Sequence, residues 1–372
     1  MKILIVDTVS YDRAPYLKYY EDACKELNVD YELFLWDRYA DGSLEKQGNC
    51  FLYHKNCPFG GGKFRKVFPM LLYRKALLET IKHNQYTHLI LINTLASVMI
   101  SSYVLKYFNK KYIMDIRDYT YERFKSYKNI VDKLIDSSSF TIISSEGFYK
   151  FINKRDNIVI NHNISNVSDQ KEKPTLSKLK PHTIGFVGSV RYERENLELI
   201  KALKNNENYK FLYYGQVVSG CRIEEKARVI GAKNVKFFGS FNNDQKANIY
   251  DNIDIINSLY GNSSFEVTTA VPNRYYDALL FKKPIIASKG TFLGEMVQKK
   301  HLGIVVDVFR DNVESLISSF IKNFDSRYFT ECCNKELIQI LKEQNYYCAC
   351  IRKFMKAQSF CRVNSEDEKV KP

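Results

Sequence analysis

The chain has 372 residues, of which 45% are hydrophobic, and this is more than one ordinary domain core requires. Its formal net charge of +14 indicates an anionic partner: a phosphate ligand, an acidic lipid surface or nucleic acid. No apolar run approaches the roughly 20 residues of a membrane span. The first apolar run is also too short for a signal peptide, so a cytoplasmic location is predicted.

Nine cysteines are spaced irregularly along the chain. Their number is odd, and no two C-x-x-C pairs stand at the spacing of a zinc site. The cysteines therefore predict small buried residues in a reducing compartment, without a metal site or a disulfide framework.

The first half alternates short apolar strands with helices. Strands are predicted at 3–6, 31–36, 88–92, 112–114, 141–144 and 158–160. Helices are predicted between them at 15–27, 68–84, 95–108 and 125–137. Because these strands are apolar on both faces, the pattern predicts a parallel sheet that is covered by helices on both sides.

A basic segment at 46–78 holds seven Lys or Arg and no acidic residue. Its aromatic and aliphatic residues interleave with cations, as in segments that lie on anionic lipid. We predict membrane contact by Lys63, Phe64, Arg65, Lys66, Arg74 and Lys75. The alternative is a helix with a buried apolar face and a solvated basic face. RNA binding is disfavoured, since the chain has no RRM or KH motif.

The second half repeats the alternation after a polar stretch. Residues 166–182 lack an apolar period and are predicted to be a linker. Strands follow at 183–188, 209–214, 234–238, 253–257, 284–287 and 303–308. The predicted organisation is a first domain at 1–165, a second at 183–330, a terminal helix at 331–360 that crosses back to the first domain, and a disordered tail at 361–372.

Two such sheets are expected to face each other across a cleft. Ligands of open α/β sheets bind outside the carboxyl ends of the strands, so the cleft is the predicted site. Periplasmic binding proteins share this layout, but they are exported, and no export signal is seen in this sequence.

Residues 183–196 read as a strand, a glycine turn and a helix start. Gly188 would let the backbone approach phosphate groups. Arg191 and Arg194 follow at the start of the helix, where guanidinium groups can bind a diphosphate bidentately. The alternative for these arginines is a solvated pair on a helix.

Residues 272–288 begin with Pro272 and run through a short helix into an apolar strand. Proline suits the first turn of a helix, and the unpaired N–H groups there favour a bound diphosphate. Asp277 lies about one turn further on, where it could accept hydrogen bonds from ribose hydroxyls. The alternative is an ordinary helix–strand unit with a solvated Asp.

Together the two motifs resemble the nucleotide-sugar signature of GT-B glycosyltransferases, in particular family four. The first is similar to G-R-L-x-x-x-K-G, with Ser189 at the position of its arginine, and the second to P-x-K-x-x-E-A-x-A-x-G-K-P-V-I-A. The resemblance implies two Rossmann-like domains and a nucleoside diphosphate sugar as donor. The implied donor-binding residues are Gly188, Ser189, Arg191, Arg194, Gly215, Phe241, Asn273, Arg274 and Asp277. Thr269 stands where many members of the family have a second Glu.

Residues 115–122 follow a predicted strand and resemble the D-x-R-D-x-W-P-E segment of bacterial surface-polysaccharide glycosyltransferases. The resemblance implies acceptor contacts for Arg117 and Asp118. Asp118 would be a catalytic base if the enzyme inverts, whereas retaining relatives need none. The alternative is that Asp118 caps the next helix.

The sequence therefore predicts a hexosyltransferase-like glycosyltransferase of surface polysaccharide synthesis, either capsule or O-antigen. Arg191 and Arg194 would stabilise the leaving diphosphate, with no metal and no cofactor. The predicted partners are a nucleotide-sugar donor, a glycan or lipid-linked acceptor and the anionic inner face of the cell membrane, with no nucleic acid. Two alternatives remain: a nucleotide-sugar epimerase of the same fold, and a non-enzymatic basic protein that binds membranes or nucleic acid.

Overall fold

The computed structural model describes residues 1–14, 16–40, 49–57, 64–164 and 181–357, apart from the side chain of Phe64. The chain divides into two compact units, one of residues 1–161 with 343–372 and one of residues 162–342. Lys63, the predicted disordered tail and most of the predicted linker lie outside the described residues.

The first unit is built on a sheet of seven parallel strands in the order β3-β2-β1-β4-β5-β6-β7. The strands are β1 Lys2–Val6, β2 Asp30–Asp37, β3 Cys50–His54, β4 His88–Ile92, β5 Tyr112–Ile116, β6 Phe140–Ile143 and β7 Ile158–Ile160. The helices are α1 Leu17–Glu26, α2 Phe64–His83, α3 Thr94–Met99, α4 Ser101–Tyr107 and α5 Lys125–Ser137. The central strands are apolar because both of their faces are buried.

Two apolar layers cover the faces of this sheet. In one of them Trp36 stacks on Tyr73 of α2, with ring centroids 4.6 Å apart. The other is completed by the end of the last helix, α13 Ser326–Met355, through Tyr347, Cys350 and Phe354. The first unit therefore needs residues from both ends of the chain.

The second unit holds a sheet of six parallel strands in the order β10-β9-β8-β11-β12-β13. The strands are β8 His182–Val187, β9 Tyr209–Tyr214, β10 Val235–Phe237, β11 Ile255–Ser258, β12 Ile285–Ser288 and β13 Gly303–Val306. The helices are α6 Glu193–Leu203, α7 Ile223–Val229, α8 Lys246–Asp251, α9 Phe265–Thr269, α10 Asn273–Phe281, α11 Phe292–Lys299 and α12 Val313–Lys322, with the first part of α13.

Both sheets have the strand order of a Rossmann fold, in which the order reverses between two central strands. The reversal lies between β1 and β4 in the first unit and between β8 and β11 in the second. The predicted fold class, two Rossmann-like parallel sheets with helices, is confirmed. Strand β3 was not predicted, and the helix predicted at 95–108 is interrupted at Ile100, whose φ of −111° leaves the helical region.

Candidate active site

The carboxyl ends of β8 and β11, where the strand order of the second unit reverses, are the expected ligand position. Gly188 follows β8 and Gly215 follows β9. A Cβ placed on Gly215 would lie 1.9 Å from the carbonyl oxygen of Gly188, and Gly215 has a φ of +135°. The two turns therefore pack backbone against backbone, which only glycine at position 215 permits.

Asn196 ties the start of α6 to the loop after β11. Its side-chain amide donates to the carbonyl oxygens of Tyr192 at 3.0 Å and Leu259 at 3.2 Å. Its side-chain oxygen accepts from Asn257 at 2.7 Å. Asn196 is fully buried, so this network is shielded from water and holds the two segments in one fixed arrangement. Sequence reasoning missed this residue.

Arg274 lies beneath this loop and is only 3% exposed. Its guanidinium carbon lies 3.8 Å from the ring centroid of Phe186 and 4.8 Å from that of Tyr260. One terminal nitrogen donates to the Val187 carbonyl oxygen at 2.8 Å. Among the described residues no carboxylate lies within ion-pair distance of Arg274, although its charge opposes the rise in pKa that burial gives Asp277, and its Nε has no partner. A cation held by rings and one carbonyl remains able to bind an anion.

The other two predicted cations of the site are exposed. The guanidinium of Arg191 lies over the ring of Tyr192 at 5.5 Å, and that of Arg194 over the ring of Phe309 at 4.3 Å. Within the described parts of the chain neither forms an ion pair. Ser189 and Asn273 are exposed as well, and Phe241 is half-buried.

Asp277 is buried, and protein groups already bind its carboxylate. Lys246 donates to both oxygens, at 3.2 and 3.3 Å, and the Tyr250 hydroxyl donates at 2.8 Å. Burial raises the pKa of Asp277, and the charge of Lys246 opposes this shift. The sequence predicted a ribose contact for Asp277, whereas the structure places it in an internal ion pair. The partner Lys246 was not predicted.

In the first unit, Arg117 folds back onto the strand that precedes it. Its Nε and one terminal nitrogen lie 2.8 Å from the same oxygen of Asp115. Asp118 is exposed, yet desolvation by the surrounding protein raises the pKa of its carboxyl. Of the two residues predicted to contact an acceptor, Asp118 is therefore the more accessible.

Sequence reasoning missed two residues where the strand order of the first unit reverses. Asp7 follows β1 and is fully buried, and it accepts a hydrogen bond of 2.6 Å from the Tyr16 hydroxyl. Burial raises the pKa of Asp7 to about 7, against the opposing hydrogen bond from Tyr16. Asn93 follows β4 with a φ of 66°, which is strained for a residue other than glycine. Their positions directly after apolar strands were the available signal.

The segment predicted to contact a membrane forms α2. Arg65 and Lys75 are exposed, Lys66 and Arg74 are half-buried, and Arg74 donates to the Met99 carbonyl oxygen at 2.7 Å. Lys63 and the side chain of Phe64 lie outside the described residues. Among the described side chains of α2, three large apolar ones are exposed: Val67, Phe68 and Leu71. Among the described helices, none has the length and apolar character that a membrane crossing requires.

No group of three or more His, Cys, Asp or Glu side chains within the described residues is placed to hold a metal ion. The predicted independence from metals stays a prediction.

Residues 167–333 match the family glycosyl transferases group 1. No curated protein matches the chain. Among solved structures, HepE (Alr3699) of Anabaena in complex with UDP and glucose has a TM-score of 0.64 at 15% identity, over 94% of this chain and 98% of that one. The apo lipopolysaccharide outer core galactosyltransferase WaaB has a TM-score of 0.62 at 12% identity, over 96% and 99%.

Sucrose-phosphate synthase of Thermosynechococcus elongatus has a TM-score of 0.61 at 13% identity, over 96% of this chain and 95% of that one. At such identities the likeness shows the fold, which is GT-B. The activity class comes from the family match over the second unit. The protein is thus a glycosyltransferase of the GT-B fold, and its residues 167–333 match the family glycosyl transferases group 1.

Proposed function

We propose that the protein transfers a sugar from a nucleoside diphosphate sugar to a glycan acceptor, as a member of family four. The observation that carries this proposal is Arg274, a buried guanidinium without a carboxylate partner in the described structure, next to the glycine turn at Gly188. A Cβ on Gly188 would lie 3.4 Å from a terminal nitrogen of Arg274, so cation and turn adjoin. That HepE was solved with UDP and glucose supports a donor of this class.

In the proposed reaction the diphosphate becomes the leaving group and gains charge as the glycosidic bond breaks. Arg274 would bind the diphosphate from its buried position, while Arg191 and Arg194 would bind it from the start of α6. Gly188 and Gly215 would leave room for it against the backbone. These three cations would do the work of a metal ion, so we propose metal-independent transfer.

Asp277 enters this proposal indirectly. Its ion pair with Lys246 fixes an ammonium group at the start of α8, beside α10. We assign Asp277 to positioning Lys246, with Asn273, Ser189 and Phe241 as outer contacts of the donor. In the first unit, Asp118 is the proposed contact for the acceptor hydroxyl. Arg117 would help to hold Asp118 in place through its own ion pair with Asp115.

A thermal-shift panel of UDP-, GDP-, TDP- and CMP-sugars tests the donor class. Binding to the folded state raises the melting temperature, so one nucleotide should give a concentration-dependent rise while the others give none. The donor incubated without acceptor separates the alternatives, because an epimerase converts it and a transferase leaves its sugar configuration unchanged. A protein that no panel member stabilises would contradict the proposal and favour the basic binding protein.

We also propose that the acceptor is lipid-linked and that the enzyme works at the cytoplasmic face of the cell membrane, in capsule or O-antigen synthesis. The supporting feature is α2, where Phe68 is 64% and Leu71 57% exposed on the face that carries Lys75. Arg65 is exposed one turn before Phe68. Apolar residues between cations fit an anionic bilayer, and the net charge of +14 adds attraction.

Replacing both Phe68 and Leu71 by Ser should weaken binding to vesicles of phosphatidylglycerol and phosphatidylcholine by roughly tenfold or more, since two apolar side chains no longer enter the lipid. Sedimentation with the vesicles measures it. Val229→Ser is the matched control, because Val229 is an exposed apolar residue of α7 in the second unit. Equal binding of the double variant and the control would exclude α2 as the contact surface.

A further inference from the structure

A buried carboxylate lies beside the proposed donor site and has no part in the function proposed so far. Glu195 is 8% exposed and lies in the first turn of α6. A Cβ placed on Gly261 would lie 2.5 Å from its Oε1. Gly261 also has a φ of +72°, which suits glycine. A side chain at position 261 would therefore collide with the Glu195 carboxylate.

No described residue donates a hydrogen bond to the Glu195 carboxylate or pairs with it. Other acids of the same helix do have partners: Glu193 pairs with Lys226, and Glu198 pairs with Lys201 at 2.8 Å. The residue is nearly buried, yet its carboxylate oxygens are not fully enclosed and can accept hydrogen bonds. A ligand that brings hydrogen-bond donors to this carboxylate therefore binds favourably.

The loop beside Glu195 is the one that lies over Arg274. Tyr260 stacks on Tyr192 with centroids 4.4 Å apart, and the guanidinium of Arg274 lies 4.8 Å from the Tyr260 centroid. Asn196 fixes this loop to the start of α6. A buried guanidinium and a nearly buried glutamate thus flank one short loop without pairing with each other. Their ligand has an anionic part and a part that donates hydrogen bonds.

We propose that Glu195 binds hydroxyl groups of the sugar that is transferred and so helps to select it; this rests on the proposed function. A carboxylate accepts hydrogen bonds from hydroxyls and repels phosphate, so Glu195 distinguishes the sugar from the diphosphate. The substrate class is a nucleoside diphosphate sugar with free hydroxyls toward Glu195. A donor whose sugar carries its own carboxylate is disfavoured by repulsion.

The test compares two ligands on one variant. Calorimetric titration of wild type and Glu195→Gln uses the nucleotide sugar that stabilises the wild type most in the thermal-shift panel, and the corresponding free nucleoside diphosphate. Glu195→Gln keeps the shape and removes the charge. We expect the Kd of the nucleotide sugar to rise roughly tenfold or more. The Kd of the free diphosphate should stay within about twofold, because Arg274 and the helix arginines still bind it.

Glu198→Gln on the same helix is the control, because the half-buried Glu198 pairs with Lys201, and it should change neither Kd. Should Glu195→Gln fail to fold, Glu195→Asp withdraws the carboxylate by one methylene and must show the same selective loss. Equal weakening of both ligands would show that Glu195 only shapes the site and would overturn the inference, as would unchanged affinity for both. If no panel member binds the wild type, the proposed function itself has failed, and this is seen before any variant is made.

Discussion

Arg194→Ala is expected to lower the kcat/KM of sugar transfer by roughly a hundredfold or more. In the proposed reaction Arg194 neutralises charge that develops on the leaving diphosphate, and alanine cannot replace it. The folded protein should hardly be affected, since Arg194 is exposed and its observed contact is the ring of Phe309. Initial rates with the donor found in the panel measure the effect, and the melting temperature confirms folding.

Arg228→Ala is the matched control for this variant. Arg228 is an exposed arginine of α7 in the same unit, and its partner is Glu224 at 3.7 Å. Its loss removes the same charge from the unit at a position outside the site. Equal rates for wild type and Arg194→Ala would remove Arg194 from the mechanism. Equal losses in both variants would mean that overall charge, and not the site, determines the rate.

The second large effect is expected from Asp7, whose burial raises its pKa from 3.8 to about 7. The folded state therefore holds this proton at pH values where the unfolded chain has lost it. The stabilisation is fully present below pH 3.8 and is lost as the pH rises through 7. Between pH 4.5 and 8.5 this single carboxyl should cost the first unit about 3 kcal/mol of unfolding free energy.

Asp7→Asn removes the titration, so its stability should fall less than that of the wild type over this pH range. Trp36 is the only tryptophan of the chain and is buried in the core of the first unit. Its fluorescence during urea denaturation therefore reports the unfolding of that unit alone. Asp12→Asn is the control, because Asp12 is an exposed acid of the same unit. Parallel pH profiles for wild type and Asp7→Asn would show that Asp7 is ionised in the folded state.

The sequence predicted the bounds of strands best where the strand is buried, because buried strand positions are mostly restricted to apolar residues. The strands 88–92, 158–160 and 209–214 were predicted with the bounds that the structure has, because most of their residues are apolar and the sheet buries them. Strand β3 lies at the edge of the first sheet, and most of its residues are not buried. Its sequence, CFLYH, is nevertheless apolar, so the signal for a strand was present and was missed.

The candidate site was harder to predict, because its partners come from distant parts of the chain. Asp277 and Lys246 are 31 positions apart in the sequence, and no local pattern predicts their pairing. Glu195 and Gly261 adjoin only because the first turn of α6 meets the loop after β11. The pairing of Arg117 with Asp115 was accessible in principle, since residues two apart on a strand share a face. The motif at 115–122 instead predicted an acceptor contact for Arg117.

The end of the last helix, α13, packs on the first unit, and this has a consequence for folding during synthesis on the ribosome. Tyr347, Ile351 and Phe354 are buried in the first unit, and the Met355 sulfur lies 3.7 Å from that of Cys24. These residues are translated after the whole second unit. A nascent chain therefore carries its amino-terminal sheet with one apolar layer incomplete, while the later sheet is free to fold. We therefore expect the first unit to complete its folding after the second, and its uncovered apolar layer to be the part of the nascent chain that is prone to aggregate.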